Sequence, residues 1–281
     1  MLVLRCFQLT PFRRVGSLPV MEVNAEKKYQ KKIQSEQDWY RQPKTLKTHF
    51  LNAPPFYSPA RITFNTGYCK TQLGRRIREI LDRDQLTNPR ILIAPTGHGN
   101  DLPYLRSLSQ NMTGIDISLD AINGIPDATI EKHVGDIKHM EMFKDGAFDV
   151  IIMSNFFHHF VKFGFDEFLH EAKRVLRPGG HLFAFEPSIL HPVAMVAWCG
   201  KKALGNITGC VEDESPFFPG RLIHAIRRCG YQDVNLTAAS YSHHRMPIPV
   251  ARVIHATMRP LLPVQFAAYF AWAGIYHGQK P

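Results

Sequence analysis

The run Ile91-Leu-Ile-Ala-Pro-Thr-Gly-His-Gly-Asn-Asp101 constrains this chain more than any other stretch. A short apolar segment stops at a turn that holds Gly97 and Gly99 one residue apart. A helical pattern follows, and a second apolar segment closes on Gly114-Ile-Asp116. Strand, glycine turn, helix and a strand ending in an acid form the nucleoside-binding half of a doubly wound α/β sheet. Glycine lets a ligand approach the backbone, and a carboxylate can accept hydrogen bonds from both hydroxyls of a ribose.

The alternation continues beyond this unit. Apolar runs at 91–94, 112–117, 148–153 and 181–186 predict strands, with a shorter one near 130–134. Helical spacing falls at 100–109, 118–123 and 165–176; in the last, Phe165, Phe168, Leu169, Ala172, Val175 and Leu176 share one face. Arg177-Pro178-Gly179-Gly180 predicts a turn that ends that helix, with positive charge at its C-terminal pole. A helix over 219–229 leads to an alternating strand at 232–239, then to a helix near 249–258 and a closing strand at 271–277. Upstream, 22–41 reads as a polar helix and 43–60 as a Pro-punctuated segment carrying Phe50, Phe56 and Tyr57. A helix over 68–83 follows, with Leu73, Ile77, Ile80 and Leu81 on one face. Such an order predicts a mainly parallel sheet with helices on both faces.

Charge narrows the choice of partner. The chain of 281 residues carries a formal charge of +10, yet residues 91–281 hold equal numbers of acids and bases, so the excess lies upstream. Lys27, Lys28, Lys31 and Lys32 cluster there. The cluster is expected as a solvated helix face, and it also suits RNA or a peripheral contact with anionic lipid. A nucleic-acid partner is not expected, because the neutral part bears the glycine turn and shows no Asn-Pro-Pro-Tyr-like motif for base flipping. Five widely spaced cysteines without a Cys-x-x-Cys argue against disulfides and zinc and fit a reducing, cytoplasmic setting. Met1–Val20 reads either as an organelle-targeting presequence or as a segment ahead of a true start at Met21. Leu261–Tyr276 is uncharged, but 16 residues broken by Pro263 fall short of the ~20 that a membrane-spanning helix needs.

The turn also selects between cofactors. A dinucleotide wants G-x-G-x-x-G/A, and here Leu102 stands in the third position. The following helix opens on Asn100-Asp101, where a carboxylate would repel a pyrophosphate and attract a ligand ammonium. S-adenosylmethionine has an ammonium, a sulfonium and no phosphate, and it fits that electrostatics. Gly135-Asp136 follows the third strand, Phe148-Asp-Val-Ile-Ile-Met-Ser-Asn-Phe-Phe-His-His159 runs from the fourth strand into a turn, and Glu171-Ala-Lys-Arg-Val-Leu-Arg-Pro-Gly-Gly180 precedes the fifth.

With those pieces in that order, the chain over about residues 70–240 resembles class I S-adenosylmethionine-dependent methyltransferases of the type 11, small-molecule branch. The resemblance implies a Rossmann-like seven-stranded sheet of order 3-2-1-4-5-7-6 with an antiparallel last strand. By position it implies Pro95, Gly97 and Gly99 along the methionine and ribose, Asp116 with Ile117 at the ribose hydroxyls, Asp136 with Ile137 framing the adenine, and Asn155 beside the methionine. The chain departs from the pattern where Ile93 replaces an acid and Pro95 a glycine. Asp101 either compensates for the lost acid, or the activity is lost.

For a general base the candidates are His158, His159, Tyr241, His243 and His244, with Glu186 either facing the pocket or capping the next turn. The expected division is a dispensable or targeting segment at 1–21, an extension at 22–85 and a methyltransferase domain at 86–281. Within it, a lid-like insertion at 241–270 joins Phe50, Phe56, Phe217 and Phe218 over the site. The expected reaction is methyl transfer to a small apolar, aromatic or lipid-like acceptor. The alternatives are a non-catalytic S-adenosylmethionine-binding protein or a methyltransferase of nucleic acid or protein. Oligomeric state is left open, and no metal is expected.

Overall fold

The computed structural model describes residues 20–41, 58–204 and 215–281. The segments 1–19 and 42–57, with Phe50, Phe56 and Tyr57, lie outside the described residues, so the expectations placed on them are not addressed.

Two helices precede the sheet: α1 (Val20–Arg41) and α2 (Pro59–Arg83). α2 starts well before the expected residue 68, because Pro59 sits in the first helical turn, where its fixed φ suits a helix and its missing N–H costs nothing. Then β1 (Ile91–Ile93), α3 (Leu102–Leu105), β2 (Met112–Asp116), α4 (Leu119–Asn123), β3 (Glu131–Val134) and β4 (Phe148–Ser154) follow in order. A 3-10 turn at Phe157–His159 leads to α5 (Asp166–Val175), β5 (Leu176–Pro187), α6 (Pro192–Leu204) and α7 (Pro219–Arg228). The chain continues with β6 (Gln232–Ser240), α8 (Ile248–Thr257), a 3-10 turn at Arg259–Leu261, α9 (Gln265–Ala268) and β7 (Ala273–Gln279).

The seven strands form one sheet of order β3-β2-β1-β4-β5-β7-β6, as expected. Strands β1 to β5 pair in parallel, and β7 runs antiparallel to both β5 and β6. Strand alternation divides the core into two layers. Leu92, Ile151, Met153, Leu182 and Ala184 face one layer, shared with α5 and α7. Ile91, Ile93, Val150, Ile152, Phe183 and Phe185 face the other, where α2 brings Leu73, Ile77, Ile80 and Leu81. Each of these fully buried aliphatics contributes roughly 1.5–3 kcal/mol by leaving water.

α5 shows why local sequence gives local structure here. Phe168, Leu169, Ala172 and Val175 bury one face, Asp166 and Glu167 stand in its first turn, and Lys173 and Arg174 in its last. The helix does not end in the expected Arg177–Gly180 turn. Leu176 takes an extended conformation (φ −73°, ψ 140°) and already pairs with Phe148, so Arg177–Gly180 lies inside β5 where the register shifts. The helix expected over 100–109 is only the single turn α3.

The segment between β6 and β7 is anchored from below. His255 of α8 stacks on Tyr68 of α2 with ring centroids 3.6 Å apart. Asn65 Nδ2 donates to the His244 and Met246 carbonyls, and Ser242 Oγ donates to Asn65 Oδ1. Among the described residues, no helix is long and apolar enough to cross a membrane.

Candidate active site

The carboxyl ends of β1, β2, β3 and β4 open on one cavity of about 320 Å³, lined by the turn Pro95–His98 with Asn100 and Asp101, by Asp116 and Ile117, by Gly135–Ile137, and by Ser154–Phe156. This is the edge of a doubly wound sheet where ligands bind. Of the expected cofactor residues, Pro95, Gly97, Asp101, Asp116, Ile117, Asp136, Ile137 and Asn155 all line it. Gly99 does not. It holds φ +75°, and a Cβ there would meet Leu102 Cδ1 at 2.8 Å and Ile125 Cγ2 at 3.2 Å, so this glycine serves the turn's packing.

Asp116 is 2% exposed. Its Oδ2 accepts from Gly97 N–H at 2.8 Å and its Oδ1 from Ser118 N–H at 2.9 Å. Burial pushes its pKa up, and the two backbone donors oppose that rise. Each oxygen keeps one lone pair, which matches a pair of vicinal hydroxyls. Asn155 holds φ +53° and anchors its N–H on the Phe185 carbonyl at 2.8 Å. Strain of this kind at the tip of a central strand is common at ligand sites.

Asp136 carries a partner that the sequence reading did not name. Tyr29 Oη of α1 donates to both carboxylate oxygens, at 2.8 and 2.9 Å, and Lys138 N–H adds a third bond. Burial, then the Asp136 charge, drives the Tyr29 pKa far up, so the phenol keeps its proton. Tyr29, Ile33 and Glu36 line the cavity together. They fall at helical spacing on one face of α1, a signal legible in sequence as an apolar stripe interrupted by an acid. The Lys27–Lys32 cluster is accordingly split. Lys27, Lys28 and Lys31 are exposed, while Lys32 is buried with Nζ 2.5 Å from Glu36.

Asp101 is also engaged. Lys70 of α2, 3% exposed, places Nζ 2.8 Å from one Asp101 oxygen, 2.9 Å from the other, and 2.5 Å from Ser154 Oγ. Its ammonium also lies 4.2 Å from the Phe185 ring centre. The carboxylate expected at the head of the next helix does line the cavity, and a protein cation that sequence reading did not name stands beside it. Lys70 shares a helical face with Leu73 and Ile77, and a lone cation on a buried face is the clue that sequence offered.

The histidines separate by geometry. His159 lines the cavity and places Nδ1 3.1 Å from Glu36 Oε1. Burial raises the Glu36 pKa, but His159 and Lys32 outweigh it and hold the carboxyl down to about 2. His158 points elsewhere: its Nδ1 lies 2.7 Å from Glu186, which is fully buried and accepts from the N–H groups of Phe156 and Phe157 at 2.6 and 2.7 Å. Glu186 thus caps the turn after β4 and does not line the cavity. Tyr241 and His243 do not line it either. Tyr241 Oη donates to the Leu261 carbonyl, and burial pushes its pKa up to about 12. His243 packs on Trp272 with ring centroids 4.3 Å apart, and burial, with His244 beside it, pushes its pKa down to about 2. His244 is held down to about 4 by burial and Arg245. Phe217 is buried against Phe165 and no residue of 241–270 lines the cavity; among the described residues that precede the sheet, α1 supplies Tyr29, Ile33 and Glu36 to its lining. No group of three metal-ligating side chains occurs among the described residues.

Comparison with known proteins agrees with this architecture. Residues 94–184 match the family model described as a methyltransferase domain. A solved S-adenosylmethionine-dependent methyltransferase of Thermotoga maritima, described as a possible histamine N-methyltransferase, superposes with a TM-score of 0.58 at 14% identity, covering 78% of this chain and 91% of that one. A second, from Archaeoglobus fulgidus, gives a TM-score of 0.50 at 16% identity over 75% of this chain and 94% of that one. At such identities the likeness is one of fold. No curated protein sequence matches the chain. Residues 94–184 thus match a methyltransferase domain, and the fold around them is that of S-adenosylmethionine-dependent methyltransferases.

Proposed function

We propose that the chain methylates a small apolar, aromatic or lipid-like acceptor at the cavity over β1–β4. The observation that carries this reading is the aromatic character of the cavity wall. Phe156, Phe160 and Phe168 line it beside Tyr29 and Ile33, so an acceptor entering there meets mostly aromatic surface. The two acids suit the adenosine part. Asp116 has the lone pairs for the ribose, and Asp136 keeps acceptor capacity beyond Tyr29 and Lys138 for an exocyclic amine. Asp101 and Lys70 offer one charge of each sign for the ammonium and carboxylate of the methionine part. Gly97, Asn155, Ile117 and Ile137 shape the path between them.

S-adenosylmethionine, when bound, supplies a methyl group already activated on a sulfonium. The protein's task is then alignment and exclusion of water. The α1 face, with Tyr29 tied to Asp136 and Gln37 Nε2 bonded to the Ile117 carbonyl at 3.1 Å, closes over the cavity and does both. For a hydroxyl or ammonium acceptor, His159 takes the proton, and Glu36 orients its ring and favours its charged form. On this reading residues 86–281 are the catalytic domain and the extension 22–85 completes its site through Tyr29, Glu36 and Lys70. The described cysteines Cys69, Cys199 and Cys229 are free thiols, which suits a cytoplasmic setting.

The test is transfer of labelled methyl into a cell extract, sorted into lipid, small polar, protein and nucleic-acid fractions, with Asp116→Ala as control. Label in the lipid or small apolar fraction, absent with the variant, is expected. Label confined to protein or nucleic acid would overturn the acceptor class.

A further inference from the structure

The segment between β6 and β7 leaves a large apolar surface uncovered. In α8, Ala251 and His255 are buried, whereas Val250 is 47% and Val253 61% exposed. Further along, Val264 is 43%, Phe266 78% and Phe270 45% exposed, and the Phe266 and Phe270 rings stand 5.7 Å apart. Phe218, 52% exposed, joins them through Tyr269 at 5.8 Å between ring centres. Exposed apolar side chains gathered on one segment in this way mark an interaction surface.

Two features say what the surface meets. The first is charge: no acidic residue occurs anywhere after Asp233, while Arg252 and Arg259, both exposed, stand among the apolar side chains. Over 248–270, exposed valine and phenylalanine interleaved with arginine and without an acid suit the headgroup region of an anionic bilayer, where apolar side chains enter the acyl boundary and cations meet phosphate. The second is place. β6 runs antiparallel to β7, and β7 antiparallel to β5, so β6 ends and β7 begins at the carboxyl edge of the sheet. The cavity opens at that same edge.

We propose that this α8–α9 face is a docking surface for an anionic lipid bilayer, which seats the chain with its active-site edge toward the membrane. The helices lie on the bilayer rather than span it. The surface stands independently of the acceptor reading, because it is defined by residues that do not line the cavity.

The test is co-sedimentation of the full chain, without acceptor, with phosphatidylcholine vesicles and with vesicles containing roughly 30% phosphatidylserine, an anionic fraction sufficient to attract basic segments. Binding to the anionic vesicles, weakened by salt, is expected. Val253→Asp/Phe266→Asp should weaken it by about tenfold or more, and Arg252→Glu/Arg259→Glu should remove the preference for phosphatidylserine. Calorimetry with S-adenosylmethionine should give the parent's affinity for both variants, which certifies that they fold. Failure of the parent to bind either vesicle overturns the proposal. So does unchanged binding by both variants, which would move the contact to the exposed lysines of α1. Self-association in the absence of lipid, abolished by Val253→Asp/Phe266→Asp in a chain that ignores vesicles, overturns it in favour of a second copy.

Discussion

Asp116 and Glu36 carry the sharpest predictions at the scale of single residues. Asp116 spends one lone pair per oxygen on backbone donors and keeps the others for the ligand. Asp116→Ala should cost about 2–4 kcal/mol of cofactor affinity, from two charge-assisted hydrogen bonds. Calorimetry should therefore show a Kd raised roughly 30- to 1,000-fold. Glu36→Gln tests the pair with His159. Removing an anion 3.1 Å from the ring disfavours the imidazolium. With an acceptor that must lose a proton, the acid limb of the kcat profile should move about one pH unit lower, with KM little changed. A purely structural role for Glu36 would leave the position of that limb where it is. Asp116 was legible because it ends an apolar run at a fixed distance from a glycine turn. For Glu36 and Tyr29 only their shared helix face was legible; their partners were not, since these lie 123 and 107 residues away and no spacing rule links them.

At the scale of elements, close approach of α2 to α3 sets the position of Lys70. A Cβ on Gly74 would fall 2.6 Å from the Tyr104 carbonyl oxygen, a backbone atom that cannot swing aside. Gly74→Ala should destabilise the fold by about 1–3 kcal/mol, seen as a lower Tm, and weaken cofactor binding as Lys70 shifts. The strands and their order were readable because buried parallel strands are short apolar runs between helical patterns. Their ends were less so. Leu176 leaves α5 directly into β5, since pairing with Phe148 outweighs the turn propensity of Pro178-Gly179-Gly180. The assignment of a lid to 241–270 came from its apolarity. What that reading lacked was which side of the segment the sheet would use, and α2 claims the side bearing His255.

Over the whole molecule, buried imidazoles link stability to pH. His277 of β7 is pushed down to about 3 by burial and the neighbouring His181, whose Nδ1 lies 3.1 Å away. His243 and His244 are likewise depressed, to about 2 and about 4. Each folded-state pKa lies below the unfolded value of about 6.5, so the unfolded chain binds more protons in that window. Stability is then complete above about pH 6.5 and falls as pH drops toward 3, by up to about 1.4 kcal/mol per pH unit for each histidine. Denaturant melts at stepped pH should show it, and His277→Asn should flatten the slope.

The position of β7 has a consequence for how the chain is made. Among the described residues β6 has no strand neighbour other than β7, and β7 follows it by a long connection. During synthesis β5 must therefore wait with one edge open while some ninety residues more are translated, and β6 emerges with nothing to zip onto. A stop codon after Arg245 should accordingly leave an insoluble product rather than a smaller enzyme. The sheet is sealed only when β7 emerges, which leaves the open edges of β5 and β6 exposed at every nascent length that stops short of it.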